Sequence, residues 1–241
     1  MSSGPAPTAV SFAPQPPRAG GARVRSWWGK AWLRAVEEAA YAETDLKAGR
    51  ALARAGTVGG LSLDRGRIVA AVSDRHGLVT VDVAVPVLDD VALTAFAEVV
   101  AAEAGRIGAL MAGDLPHLLN EHAEEVGVEI LPYGGELTAS CTCDAWLDPC
   151  PHALAVLQQV GWLVDGDPLL LLHLRGLPRP DLLARLAALD ARGPSPSGGA
   201  SADAVDEGDG EGLETALDAV VRASRILTLL DDDAEVPDSL W

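Results

Sequence analysis

All three cysteines of this chain fall between Cys141 and Cys150, and His152 lies two residues further on, in the stretch CTCDAWLDPCPH. The spacing is C-x-C-x6-C-x-H. Two cysteines and a Cys/His pair, separated by a short loop, offer four soft or borderline ligands. That is the donor set Zn²⁺ takes in a closed tetrahedral structural site. The two ends set different geometric demands. Cys141 and Cys143 converge on one point only if Thr142 sits in a tight bend or at a strand end. On a helix, residues two apart are rotated by roughly 200°, so Cys150 and His152 cannot both be in mid-helix. Pro151 resolves this, because proline is favoured at the first helical position. Cys150 then lies just outside the helix and His152 in its first turn, where thiolate charge meets the positive helix end.

Competing uses of the thiols fit less well. A disulfide between Cys141 and Cys143 would be strained and would leave one cysteine over. C-x-C is not the redox spacing C-x-x-C, and a Cys–His nucleophilic dyad leaves two cysteines unexplained. The N-terminal MSSGPAPTAVSFAPQPPRAGGAR lacks the apolar core of a signal peptide. PLLLLHLRGL is too short to span a bilayer. The expectation is a cytoplasmic protein with no membrane association, in a reducing compartment that favours metal over disulfide. Arg outnumbers Lys sixteen to two and Ala is abundant, a bias read as that of a GC-rich bacterial genome.

The formal charge of −17 argues against a simple nonspecific DNA binder. Its distribution is uneven, however. Residues 1–75 carry eleven Lys and Arg against six Asp and Glu, whereas the remainder carries seven against 29. The front is basic and the back acidic.

The fold class expected is α+β: a small antiparallel β-meander packed with helices, plus a zinc-stapled hairpin-helix module. Residues 1–22 read as a disordered arm and 23–129 as an N-terminal α+β domain. In the latter, WWGKAWLRAVEEAAY has helical spacing, and LARAGTVGGLSLDRGRIVAAVSDRHGLVTVDVAVP reads as three antiparallel strands. Asp89 and Asp90 open one long helical pattern through Gly113, and LPHLLNEHAEEVG a shorter one. VEILPYG suggests a strand. The cysteine module takes 130–165, with Trp146 and Trp162 expected to pack beside the metal. A helical extension (166–190), a disordered acidic linker (191–212) and an amphipathic helix with an acidic tail (213–241) complete the chain.

The motif resembles the SWIM zinc finger. The match includes Asp144, Trp146, the Asp148-Pro149-Cys150 turn and the helix face of Ala153, Leu154, Val156 and Leu157. SWWGKAW, the Gly-rich meander, the long helix and the segment Asp167 to Gly176 resemble bacterial SWIM zinc finger proteins over most of residues 25–190. The resemblance implies one structural Zn²⁺ held by Cys141, Cys143, Cys150 and His152. It also implies binding of DNA or proteins, in some cases alongside Swi/Snf-type ATPases. Many family members place Lys or Arg between the last Cys and the His. Here Pro151 stands there, and Cys141 to Val164 contains no Lys or Arg, which argues against DNA contact through the finger itself.

Nucleic acid, if bound, would be met at the front by Arg23, Arg25, Lys30 and Arg34, interleaved with Trp27, Trp28 and Trp32; Arg50 and Arg54 would extend that patch. Helical spacing also suits Trp28 and Trp32 to covering the sheet. Glu121, His122, Glu124 and Glu125, preceded by His117, lack metalloprotease spacing and read as a solvated helix face. Gly56, Gly59 and Gly60 lack the Lys-Ser/Thr of a phosphate loop and read as turns. No nucleophile, base and oxyanion donor assemble, so the expectation is a non-enzymatic protein without a small-molecule substrate. Its expected partner is a protein, such as a Swi/Snf-type ATPase.

Overall fold

The computed structural model describes residues 9–18, 23–75 and 77–192. The amphipathic helix and tail expected over 213–241, and all but the first two residues of the acidic linker, lie outside the described residues.

Five strands form one antiparallel sheet in chain order: β1 (Val10–Phe12), β2 (Val58–Asp64), β3 (Arg67–Asp74), β4 (Gly77–Ala84) and β5 (Thr138–Cys141). The expected meander is β2 to β4, and each of its edges gains a strand. β1, inside the stretch read as a disordered arm, pairs Val10 with Leu63, because alternating VSF supplies ladder donors and puts the half-buried Phe12 against the core. Strand periodicity puts Leu61, Leu63, Ile68, Ala70, Val72, Val81 and Val83 on one buried face. Gly56 does end an element, in the left-handed conformation at φ 72°. Gly59 and Gly60 are not turns. They lie within β2, where the register to β3 shifts between Val58 and Leu61, as glycine permits at a bulge.

The buried face is covered by α6 (Pro151–Gly166), against which α1 (Trp27–Ala39) and α2 (Glu43–Ala55) also pack. Every residue from Ala153 to Val160 is buried, so α6 is apolar nearly all round, as a helix enclosed on several sides must be. α1 is fastened to it by tryptophan. Trp28 Nε1 donates to the Val164 carbonyl at 2.8 Å and Trp32 Nε1 to that of Leu157 at 3.0 Å. Both indoles thus tie α1 to α6, within the same core cluster as the buried face of the sheet. Asp165, next to Val164, tightens the same end, accepting from the Arg25 and Ser26 backbone N–H groups at 2.9 and 2.8 Å, while Ser26 caps α1 through Gly29 N.

Three further differences have local causes. α2 was not foreseen, because its contact face is Leu46, Gly49 and Ala53, too small to give an apolar period. The long helix after Asp89 is two, α3 (Asp90–Ala101) and α4 (Ala104–Met111); Arg106 turns back to bond the Val99 carbonyl and Glu103 across the break. VEILPYG, which follows α5 (His117–Glu125), is not a strand. Val128 and Ile130 are buried, but the Glu129 carbonyl is taken by the Arg175 guanidinium at 2.9 Å instead of a neighbouring strand. The extension is α7 (Pro168–Leu174), capped by Asp167, and α8 (Arg179–Arg192).

Candidate metal centre

β5 ends at Cys141, directly opposite Val81 of β4 and on the same buried face. Thr142 then ends the ladder: its N–H donates to the Thr80 carbonyl at 3.0 Å, and its Oγ1 accepts from Thr80 N at 2.9 Å. The chain bends there, so Cys143 turns back toward Cys141. At the far side of the loop Cys150 is the N-cap of α6 and Pro151 its first residue. His152 follows in the first turn, as the spacing required.

The four ligand atoms lie within 4.8 Å of one another. Cys143 Sγ is 3.6 Å from Cys150 Sγ, and His152 Nδ1 is 4.0 and 3.9 Å from the sulfurs of Cys141 and Cys150. Tetrahedral Zn²⁺ with Zn–S of about 2.3 Å and Zn–N of about 2.0 Å needs ligand separations of about 3.5–3.8 Å. The cluster is compatible with one structural zinc. Four protein ligands would close its shell, leaving no position for a substrate.

Without a metal, the surroundings act differently on the three thiols. Burial pushes the Cys141 thiol up to about 12 and raises Cys150. Burial also opposes ionisation of Cys143, but hydrogen bonds, that from the Ala145 N–H foremost, outweigh it and lower that thiol. Zinc uptake must therefore displace thiol protons, and affinity should weaken as pH falls.

One functional residue was not legible from the motif. His152 Nε2 lies 3.0 Å from Asp74 Oδ2, a carboxylate 78 residues away at the end of β3. Asp74 is two residues beyond Val72, so strand periodicity turns it to the buried face under α6. A carboxylate on the distal imidazole nitrogen fixes the tautomer that presents Nδ1 and raises its basicity. Asp74→Asn is expected to weaken zinc affinity by about 10–100-fold with the fold intact. Competition with a chromogenic chelator checks this, and an unchanged affinity would leave Asp74 without a part in tuning the metal site.

The expected tryptophan packing is not observed. Trp146 is fully exposed at the loop between the ligand pairs, and its neighbour Leu147 is 45% exposed. Trp162 is buried but lies ten residues along α6 from His152, about 15 Å at 1.5 Å per residue. Arg18 stacks over its ring, 4.4 Å from the centroid.

Of the front-end cations, Arg23, Lys30 and Arg34 line one cleft, together with Arg50 and Arg54. Arg25 is not among the lining residues. Its backbone N–H is engaged by Asp165. Of the α5 cluster, Glu121 pairs with His117 and Glu124 with Asn120, while His122, read as part of a solvated face, is half-buried and meets the buried Arg106 through Nδ1.

The sequence model of the SWIM zinc finger matches residues 124–161, a span that holds all four ligands, β5 and the first turns of α6. The chain carries a SWIM zinc finger. A protein of Mycobacterium tuberculosis described as "Uncharacterized protein Rv2102" is 28% identical over 179 residues, which cover 73% of this chain and 64% of the relative's length. The chain thus spans just under two thirds of that protein. No solved structure matches.

Proposed function

We propose that this chain is a non-enzymatic, cytoplasmic protein–protein adaptor, an accessory subunit of a nucleic-acid-handling complex built on a Swi/Snf-type ATPase. The observation carrying this reading is the loop tip Trp146-Leu147. A fully exposed tryptophan beside a half-exposed leucine stands on a loop whose two ends are metal ligands. Tryptophan is among the residues enriched at the energetic centres of protein interfaces. Zinc would hold the tip still, so that little ordering entropy is lost on docking. The finger from Cys141 to Val164 has no Lys or Arg with which to meet phosphates, and a SWIM finger is a binding domain, not a catalytic one. No helix among the described residues is long and apolar enough to cross a membrane.

The test is binding of the zinc-loaded chain to purified Swi/Snf-type ATPases from the same genome. Trp146→Ala removes a side chain that makes no core contact, so stability should move by less than about 0.5 kcal/mol. Affinity should fall by about 30-fold or more, the loss expected at an interface anchor. Binding that survives both this substitution and zinc removal would rule out the finger as the docking element.

A further inference from the structure

The cleft that gathers the front-end cations has a composition the zinc finger does not explain. It encloses about 540 Å³ between α1, α2 and α6. Lys30 and Arg34 come from α1, four residues apart on one face, and Arg50 and Arg54 from α2 at the same interval. Arg23 reaches it from the segment before α1, and Arg18 lies over its Trp162 wall. The acidic lining residue, Glu37, is paired with Arg50. Among the described residues, no carboxylate pairs with Arg23, Lys30, Arg34 or Arg54.

In a chain of net charge −17, like charges gathered from three elements around one hollow repel one another. Helix surfaces do not need that arrangement for folding. The wall supplies a second sign of an absent partner. Trp162 is 91% buried, yet its Nε1 has no hydrogen-bond acceptor among the described residues, and a buried donor left unpaired costs about 1–3 kcal/mol.

We propose that this cleft is a second binding site, separate from the zinc finger, for a chain of consecutive phosphate groups. Its cations would each face a phosphate, and Gln158 on the floor would supply neutral donors. Arg18 covers the Trp162 ring, so recognition runs through phosphates and not base stacking. A hollow suits a flexible strand or a short polyphosphate, whereas duplex grooves are read by projecting elements. This site does not depend on the adaptor reading, since Trp146 lies in the finger loop and contributes nothing to it.

The experiment measures binding of the zinc-loaded full chain to a labelled single-stranded oligonucleotide, to its duplex, and to inorganic tripolyphosphate across a salt series. Tripolyphosphate binding alone would identify a small polyphosphate as the source, and strand binding a nucleic acid. In either case Arg34→Gln with Arg54→Gln should weaken binding at least tenfold at low salt. The log–log salt slope for the strand should also fall by about 0.7 for each phosphate that is no longer neutralised. Arg67→Gln, which removes a cation paired with Asp82 outside the cleft, should leave binding unchanged. Trp146→Ala should do likewise, which separates failure of this site from failure of the adaptor reading. No binding of any probe at low salt, or an equal loss with Arg67→Gln, overturns the proposal.

Discussion

Cys143→Ser and His152→Ala are each expected to abolish stoichiometric zinc and to unfold the hairpin between Thr138 and Cys150 while the rest of the chain stays folded. The loop from Asp144 to Pro149 is irregular and mostly exposed. Its fixed points are the bend at Thr142 and the N-cap at Cys150, which the metal would join. Structural zinc contributes about 10–16 kcal/mol in finger peptides that have no fold without it. Here the ladders joining β1 to β4 stay and α6 keeps its tryptophan anchors, so the expected loss is smaller, about 3 kcal/mol or more. Metal analysis and hydrogen exchange read the two halves of the prediction. Protection should vanish over 138–150 and persist in β2, β3 and the middle of α6. Stoichiometric zinc retained in both variants would sink the assignment of these ligands.

The metal site was legible because its constraint is local. Four ligands within twelve residues admit few geometries, and Pro151 fixes which of them sits at the helix start. Asp74 was not legible, because nothing in SDRHG distinguishes a carboxylate aimed at a distant imidazole from one closing a turn. Only the β3–β4–β5 register and the path of α6 bring it to His152. The meander was legible from alternating valines in β4, while its edge strands were not. β1 is three residues long, and β5 is hidden in the sequence by the metal motif it leads into. α2 shows the opposite failure. Its contact with α6 needs small residues: a Cβ on Gly49 would lie 2.7 Å from Leu154 Cβ and 2.9 Å from the Pro151 carbonyl. Close approach thus erased the apolar period that announces a helix. With α2 unrecognised, Arg50 and Arg54 could be read as extending the basic patch but not as the wall that faces Lys30 and Arg34 across a cleft.

The packing that makes the cleft also makes the zinc helix rigid, and Trp32 is where the two meet. Its side chain is fully buried between α1 and α6. It occupies space that Gly161 leaves open, since a Cβ there would fall 2.9 Å from Trp32 Cδ1 and 2.7 Å from Leu33 Cδ2. Trp32→Ala removes the largest fully buried side chain among the described residues, together with its bond to the Leu157 carbonyl. The expected cost is about 3–5 kcal/mol, a fall in Tm of about 10 °C for a domain of this size. Trp32→Phe keeps most of the volume and should lose chiefly the hydrogen bond, about 1 kcal/mol. The ligand cluster draws on β5, the loop and the start of α6, so zinc stoichiometry below the melting transition should be unchanged. Phosphate binding should weaken, because Lys30 and Arg34 ride on the helix that Trp32 fastens. Thermal denaturation with metal analysis separates these effects. An alanine variant within about 1 kcal/mol of the parent would mean that α1 is not held by this ring, and the anchoring of α6 described above would fail with it.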